Sequence, residues 1–202
     1  MRDAEDRLLA TCWSSAGDAA SDRADLRSPL PLRERVEAAS AAGFRGFGLL
    51  SADLPAAEEA YGLSGIRAML ADNPIVDLEL EGIPHWWADG ARRAESDPVR
   101  HALLTAAEAL GARQIKVTPD GDDGPWDPDH WAAKLAELAA QADGVGARLG
   151  LEHRSLPVRE ALDRAADGAR KLLGARRPDR IHEDTPRPSA TRAILPPSHT
   201  AR

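Results

Sequence analysis

The chain has 202 residues, of which 43% are hydrophobic and 29% are charged, which is typical of one globular domain of ordinary size. No stretch approaches the ~18 consecutive apolar residues of a membrane span, and the N-terminal residues are charged rather than apolar as in a secretory signal. The single cysteine, Cys12, excludes an internal disulfide framework and a cysteine-based zinc site. We therefore expect a cytoplasmic protein that does not act at a membrane.

Net charge is unevenly distributed along the chain. Residues 1–157 carry a net charge of −11, whereas residues 158–202 carry +4. Because nucleic-acid binding depends on clustered Lys and Arg, the acidic body predicts that nucleic acid is not a partner. The change in charge near residue 157 also predicts that the folded body ends there.

Short apolar runs alternate with Ala-rich stretches of helical spacing in the first 157 residues. The runs predict strands at residues 8–13, 44–50, 75–81, 113–118 and 147–152. The stretches between them predict helices at residues 32–42, 56–71, 97–110 and 127–146. Strand–helix units that repeat every ~30–35 residues imply right-handed crossovers and a parallel sheet.

Two architectures fit such units, a (β/α) barrel and a doubly wound open sheet. No glycine-rich phosphate fingerprint follows the first strand, which favours the barrel. Residues 158–174 show the apolar stripe of one more amphipathic helix. Residues 175–202 are rich in Arg and Pro and poor in large apolar side chains, so we expect a disordered tail.

Acidic side chains alternate with apolar ones along the third predicted strand. Asp77, Glu79 and Glu81 share one face, and this face is either turned into the barrel or solvated on an edge strand. On the fourth strand Lys116 is expected to point inward, where it forms a structural ion pair or binds an anionic group. Glu152 points inward at the carboxyl end of the fifth strand, where barrel active sites form.

Aromatic and histidine side chains follow several of the strands. Four tryptophans lie at a strand end or in the loop after it: Trp13, Trp86, Trp87 and Trp126. They form either the apolar walls of a sugar-sized pocket or packing at the barrel rim. Trp131, on a helix, is expected in the core. His85 and His153 follow the third and fifth strands and are candidate metal ligands or acid–base groups.

Four segments of the chain, taken in order, carry a family resemblance. They are GFRGFGL at residues 43–49, DLELE at 77–81, AEALGARQIKV at 107–117 and GLE at 150–152. Over roughly residues 7–157 the chain resembles the sugar phosphate isomerase/epimerase family, which has a xylose isomerase-like TIM barrel. The resemblance implies a partial barrel of about five parallel strands with flanking helices.

The resemblance also implies a chemistry. The family places Mn²⁺, Mg²⁺ or Zn²⁺ at the carboxyl end of the barrel, and Glu152 matches its first metal-binding carboxylate, which also moves a proton next to a sugar carbonyl. Trp13, Glu81, His85 and Lys116 would line the pocket for a small sugar or sugar phosphate. The implied function is a metal-assisted sugar isomerase or epimerase.

The chain departs from the family pattern after Glu152. The remaining family ligands come from strands six to eight, whereas only 50 residues follow Glu152 here, so we expect a truncated, open barrel. The missing ligands count against activity, and the unpaired edges favour a homo-oligomer. The alternative function is therefore an inactive barrel that serves as a binding or oligomerisation module. The acidic body disfavours the superfamily's branch that acts on abasic DNA.

Overall fold

The computed structural model describes residues 7–118 and 128–152. Five strands and four α-helices alternate along this part of the chain. They are β1 (Leu9–Ala10), α1 (Leu32–Ala41), β2 (Gly46–Leu50), α2 (Leu54–Asp72), β3 (Asp77–Glu81), α3 (Gly90–Leu110), β4 (Gln114–Val117), α4 (Pro128–Gly144) and β5 (Arg148–Leu151). A short 3₁₀ helix, Cys12–Ser15, follows β1.

The five strands form one parallel sheet in the order β1-β2-β3-β4-β5. This confirms the predicted α/β class with about five parallel strands and flanking helices. Within the described residues the sheet is open, with β1 and β5 at its edges. The register pairs Glu81 of β3 with Lys116 of β4, and Lys116 with Gly150 of β5, two residues before Glu152.

The core lies between the sheet and the helices. Leu49, Leu80 and Ile115 are at most 1% exposed, and they belong to the same apolar cluster as side chains from all four helices. Burying one such side chain contributes about 1.5–3 kcal/mol. The alternating pattern of β3 is explained by this layer, because its leucines face the helices and the glutamates between them take the other face.

The first strand is shorter than predicted because the chain turns early. β1 has two residues, and the 3₁₀ helix begins at Cys12, within the predicted strand. Gly48 of β2 permits this turn. A Cβ at Gly48 would lie 2.5 Å from the backbone nitrogen of Cys12, so only glycine allows the two segments to approach so closely.

Two helices also differ from the prediction, one in its start and one by a kink. α3 begins at Gly90 and contains Pro98, which was expected to open the helix. The fixed φ of proline fits a helix, although its missing N–H removes one intrahelical hydrogen bond. The turns before Pro98 carry ion pairs from Arg93 to Asp97 and to Glu137 of α4. α2 is kinked at Gly62, which has a φ of 63°.

A buried ion pair joins the first two helical units. Arg35 of α1 is 2% exposed, and its Nη1 lies 2.6 Å from Oδ2 of Asp53, the residue before α2. The Nη2 atom of Arg35 donates a hydrogen bond to the carbonyl oxygen of Cys12 at 3.2 Å. This contact fixes the 3₁₀ helix, and with it Trp13, at the carboxyl end of the sheet.

Several predictions fall on residues outside the described ranges. They concern the helix at 158–174, the tail at 175–202, Trp126 and His153. Among the helices that are described, none combines the length and the apolar character needed to cross a membrane.

Gly48→Ala tests the close approach between β2 and the 3₁₀ helix. Because the new methyl group would overlap backbone, we expect the free energy of unfolding to fall by about 1–3 kcal/mol in chemical denaturation. The matched control is Gly144→Ala at the exposed end of α4, where a Cβ meets no atom within 4 Å. That change should be neutral or stabilise the protein by up to about 1 kcal/mol. Equal effects of the two substitutions would contradict this packing.

Candidate functional site

A cavity of about 380 Å³ lies at the carboxyl end of the sheet. Every strand sends lining residues to it, either from its end or from the segment after it: Trp13 after β1, Leu50 and Ser51 at β2, Glu81 and Gly82 at β3, Thr118 after β4, and Glu152 after β5. Barrel active sites form at this end because the βα loops converge there. The volume lies within the ~300–1,000 Å³ of small-molecule sites.

An ammonium group on one strand joins carboxylates from two other strands beside this cavity. The Nζ atom of Lys116 lies 2.8 Å from Oε2 of Glu81, 3.3 Å from Oε2 of Glu152 and 3.4 Å from Oε1 of Glu79. We call these four residues the Lys116 cluster. Glu81 and Glu79 are 4% and 7% exposed, whereas the Glu152 side chain is 42% exposed. Glu152 is therefore the member most accessible from the cavity.

Two neutral side chains support the buried carboxylates of the Lys116 cluster. Nε2 of Gln114 donates a hydrogen bond to Oε2 of Glu79 at 2.8 Å. The thiol of Cys12 donates to Oε2 of Glu81 at 3.2 Å. Buried carboxylates require such partners because desolvation without them is costly. Gln114 and Cys12 are thus part of the site, although the sequence analysis did not assign them to it.

Burial and neighbouring charges shift three pKa values here. Burial raises the pKa of Glu79, and the ammonium of Lys116 offsets this only in part. Burial alone would lower the pKa of Lys116, but its carboxylate partners, led by Glu81, outweigh burial and raise it. Burial, and then the charge of Glu81, raises the pKa of the Cys12 thiol. At neutral pH Lys116 is therefore charged and Cys12 is a protonated thiol.

The structure brings four of the five candidate site residues together. Trp13, Glu81 and Glu152 line the cavity, and Lys116 lies behind two of them as their shared counter-ion. His85 is placed differently. It does not belong to the described lining of the cavity, and its ring packs edge-on against Trp87 at 5.8 Å between centroids.

The tryptophans divide between the two predicted roles. Trp86 and Trp87 are 0% and 8% exposed and pack with Trp131 of α4 at centroid distances of 4.8 and 5.2 Å. They form packing at the barrel rim, and Nε1 of Trp86 donates to the carbonyl oxygen of Thr118 at 2.8 Å. Trp13 is the described tryptophan that lines the cavity. The loop positions of these residues in the sequence did not distinguish the two roles.

The donor atoms that the structure describes around Glu152 do not fit a divalent metal. Across residues 7–118 and 128–152, no three His, Cys, Asp or Glu side chains are grouped so as to hold a metal ion. The oxygens of Glu81 and Glu152 face the Lys116 ammonium, which repels a second cation at the same position.

Solved structures with the same fold are xylose isomerase-like barrels. A xylose isomerase domain protein from Alicyclobacillus acidocaldarius subsp. acidocaldarius aligns at 20% identity with a TM-score of 0.54, over 71% of this chain and 56% of its own. A xylose isomerase-like TIM barrel/4-hydroxyphenylpyruvate dioxygenase fusion protein aligns at 21% identity and 0.57, over 69% and 23%. A D-psicose 3-epimerase with D-tagatose, from Clostridium cellulolyticum H10, aligns at 17% identity and 0.56, over 69% and 55%.

These alignments cover part of each solved barrel. The chain spans about half the length of the xylose isomerase domain protein and of the epimerase, and about a quarter of the fusion protein. No protein-family model and no curated protein matches the chain. The structural similarity establishes the fold: the described residues form part of a TIM-type (β/α) barrel, as the resemblance implied.

Lys116→Met tests the role of the ammonium as a shared counter-ion. The change leaves two buried carboxylates without their charge partner, so we expect the free energy of unfolding to fall by about 3–5 kcal/mol at pH 7 in urea denaturation. The loss should shrink in acid, where the carboxylates are protonated. The control is Lys134→Met, because Lys134 pairs with Asp89, whose side chain is 65% exposed, and such pairs contribute about 0.2–1 kcal/mol. Similar losses in both variants would be inconsistent with this role.

Glu79→Gln tests the raised pKa of Glu79. A carboxyl group whose pKa is higher in the folded than in the unfolded state binds its proton more tightly when folded, so stability falls as pH rises from the ordinary value of 4.5 through the folded value. Relative to Glu79→Gln, the wild type should therefore lose stability over this window, as measured by urea denaturation at successive pH values. A difference between the two proteins that is constant with pH would refute the shift.

Proposed function

We propose that the chain binds a small sugar in this cavity and acts as a sugar isomerase or epimerase, in which Glu152 moves a proton at the carbon next to the sugar carbonyl. The observation that carries the proposal is the position of Glu152. Its carboxylate lines a cavity of suitable volume at the carboxyl end of the sheet, is 42% exposed, and lies 3.3 Å from a permanent ammonium group.

The described residues supply groups that bind the sugar, a base and a positive charge. The ring of Trp13 provides an apolar wall for the sugar, and the hydroxyl groups of Ser51 and Thr118 are placed to bind its hydroxyls. In an isomerisation, Glu152 takes the proton from the carbon next to the carbonyl and delivers it to the former carbonyl carbon on the same face, while a proton moves from the neighbouring hydroxyl to the former carbonyl oxygen. An epimerisation also requires an acid on the opposite face of the enediolate, because return of the proton to the same carbon from the same face restores the starting sugar. While the proton is on Glu152, the neutral carboxyl group of Glu152 no longer offsets the Lys116 charge, so this charge is then available to offset the negative charge that develops on the enediolate oxygen.

Metal assistance requires ligands other than those described. Glu152 is the one described residue that the resemblance assigns to the metal, and its carboxylate already contacts Lys116. The proposed proton transfer therefore uses only Glu152 and the Lys116 charge. If Mn²⁺ raises the melting temperature of the wild type but not of Glu152→Gln, then Glu152 binds metal together with residues outside 7–118 and 128–152, and this part of the proposal is wrong.

The second candidate function is a binding or oligomerisation module. The observation that favours it is the exposure of β5. None of its four residues, Arg148 to Leu151, is buried, and within the described residues β5 pairs with β4 along one edge. A partly exposed strand at a sheet edge is a site for pairing with another chain. This function predicts a stable oligomer in light scattering and no exchange of sugar protons.

The isomerase or epimerase proposal is tested by solvent exchange. In D₂O, the wild type should incorporate deuterium next to the carbonyl of at least one of the free 2-ketohexoses D-fructose, D-psicose, D-tagatose and D-sorbose, as measured by NMR. Glu152→Gln should slow incorporation by about 10²–10⁴-fold, as expected for loss of a general base. Trp13→Ala should raise KM more than it lowers kcat.

The matched control for charge is Glu58→Gln, an exposed residue of α2 outside the cavity lining, which should exchange at the wild-type rate. Equal rates for Glu152→Gln and the wild type would rule out the proposed role of Glu152. Absence of both exchange and sugar binding in a folded wild type would favour the module.

A further inference from the structure

We infer that the cavity selects uncharged sugars and rejects their phosphate esters, with Glu81 and Glu152 as the residues that determine this selection. The inference rests on the proposed function, because it names the substrate class of the same site. Its basis is the balance of charge around the cavity, which decides between the sugar and the sugar phosphate that the sequence leaves open.

The described lining carries negative charge and no cationic side chain. Glu81 and Glu152 contribute carboxylates, and none of the described lining residues is Arg, Lys or His. Phosphate groups are held in proteins by Arg, Lys or several converging backbone N–H groups. A phosphate ester in this cavity would instead meet two carboxylates of its own sign.

Two described cations near the site, Lys116 and Arg35, are already paired with carboxylates. Lys116 contacts three carboxylates, so the Lys116 cluster is net negative even if Glu79 is protonated. Arg35, behind the 3₁₀ helix, is 2% exposed and pairs with Asp53 at 2.6 Å. The positive charge of each cation is therefore already offset by protein carboxylates and does not balance the charge of a ligand phosphate.

Partial burial strengthens this repulsion. Glu81 is 4% exposed, so water screens its charge much less than it would at the surface. Repulsion of an anionic competitor is a common way for a site to discriminate between ligands that are otherwise alike. A neutral sugar loses nothing to this field, and its hydroxyl groups can donate hydrogen bonds to Glu152.

Isothermal titration calorimetry of the full chain tests the inference with matched ligand pairs. The probes are D-fructose, D-psicose, D-tagatose and D-sorbose, each compared with its 6-phosphate. At low ionic strength we expect at least one free sugar to bind at least about tenfold more tightly than its phosphate. Glu152→Gln and added salt should each lower the ratio of the phosphate's Kd to the free sugar's Kd. Glu58→Gln should leave this ratio unchanged.

The outcomes separate this inference from the proposed function. Binding of the phosphates as tightly as the free sugars, or more tightly, overturns the inference and leaves the sugar site in place. If no ligand of either class binds to the folded protein, the proposed function is wrong and the inference is wrong with it.

A second measurement reads the charge of the cavity without any sugar. The fluorescence of Trp13, taken as the difference between the wild type and Trp13→Phe, is quenched by Cs⁺ and by iodide. The ratio of the Cs⁺ to the iodide quenching constant should be higher for Trp13 than for free N-acetyltryptophanamide. If this ratio for Trp13 is equal to or below the ratio for free N-acetyltryptophanamide, the inference is wrong whatever the calorimetry shows.

Discussion

The contact on which the described structure most depends is the one between Lys116 and three carboxylates from the two neighbouring strands. Glu79 and Glu81 belong to β3, Lys116 to β4, and Glu152 comes directly after β5. Two nearly buried carboxylates would each carry a large desolvation cost if they lacked a counter-ion. The ammonium reduces this cost and at the same time fixes the positions of the acids beside the cavity.

The same contact determines the chemistry that the site can perform. It keeps Lys116 charged and places one accessible carboxylate next to a fixed positive charge. The remaining excess of negative charge faces the cavity. Proton transfer at a neutral sugar and rejection of a phosphate ester therefore have a single physical origin.

Much of this arrangement could be predicted from the sequence because strand alternation determines which side chains share a face. The pattern at residues 77–81 predicted that Glu79 and Glu81 share one face, either inward or solvated, and the same alternation predicted that Lys116 points inward. The structure gives the inward alternative, and the contact between Glu81 and Lys116 is a consequence of the register between β3 and β4. The part played by Cys12 and Gln114 could not be predicted, since it depends on distances between strands rather than on a pattern along one strand.

Other features escaped the sequence analysis for identifiable reasons. The early end of β1 depends on Gly48 of another strand. α3 begins at Gly90 rather than at Pro98, and an ion pair from Arg93 to Glu137 joins its first turns to α4, which no pattern along the sequence indicates. In the sequence, Trp86 and Trp87 share with Trp13 a position at a strand end or in the loop after it, so the pattern did not separate their roles. Their packing role is set by Trp131, which lies on a helix more than forty residues later.

The central claim is that Lys116 is the permanent counter-ion of the acidic site, and an NMR titration of its side chain tests this most directly. The chain has three lysines, Lys116, Lys134 and Lys171, so the ε-carbon signals can be assigned by single substitutions. The account predicts that Lys116 titrates above the ordinary value of 10.5 and that Glu81→Gln lowers its pKa. A Lys116 pKa at or below 10.5 in the wild type would contradict the account.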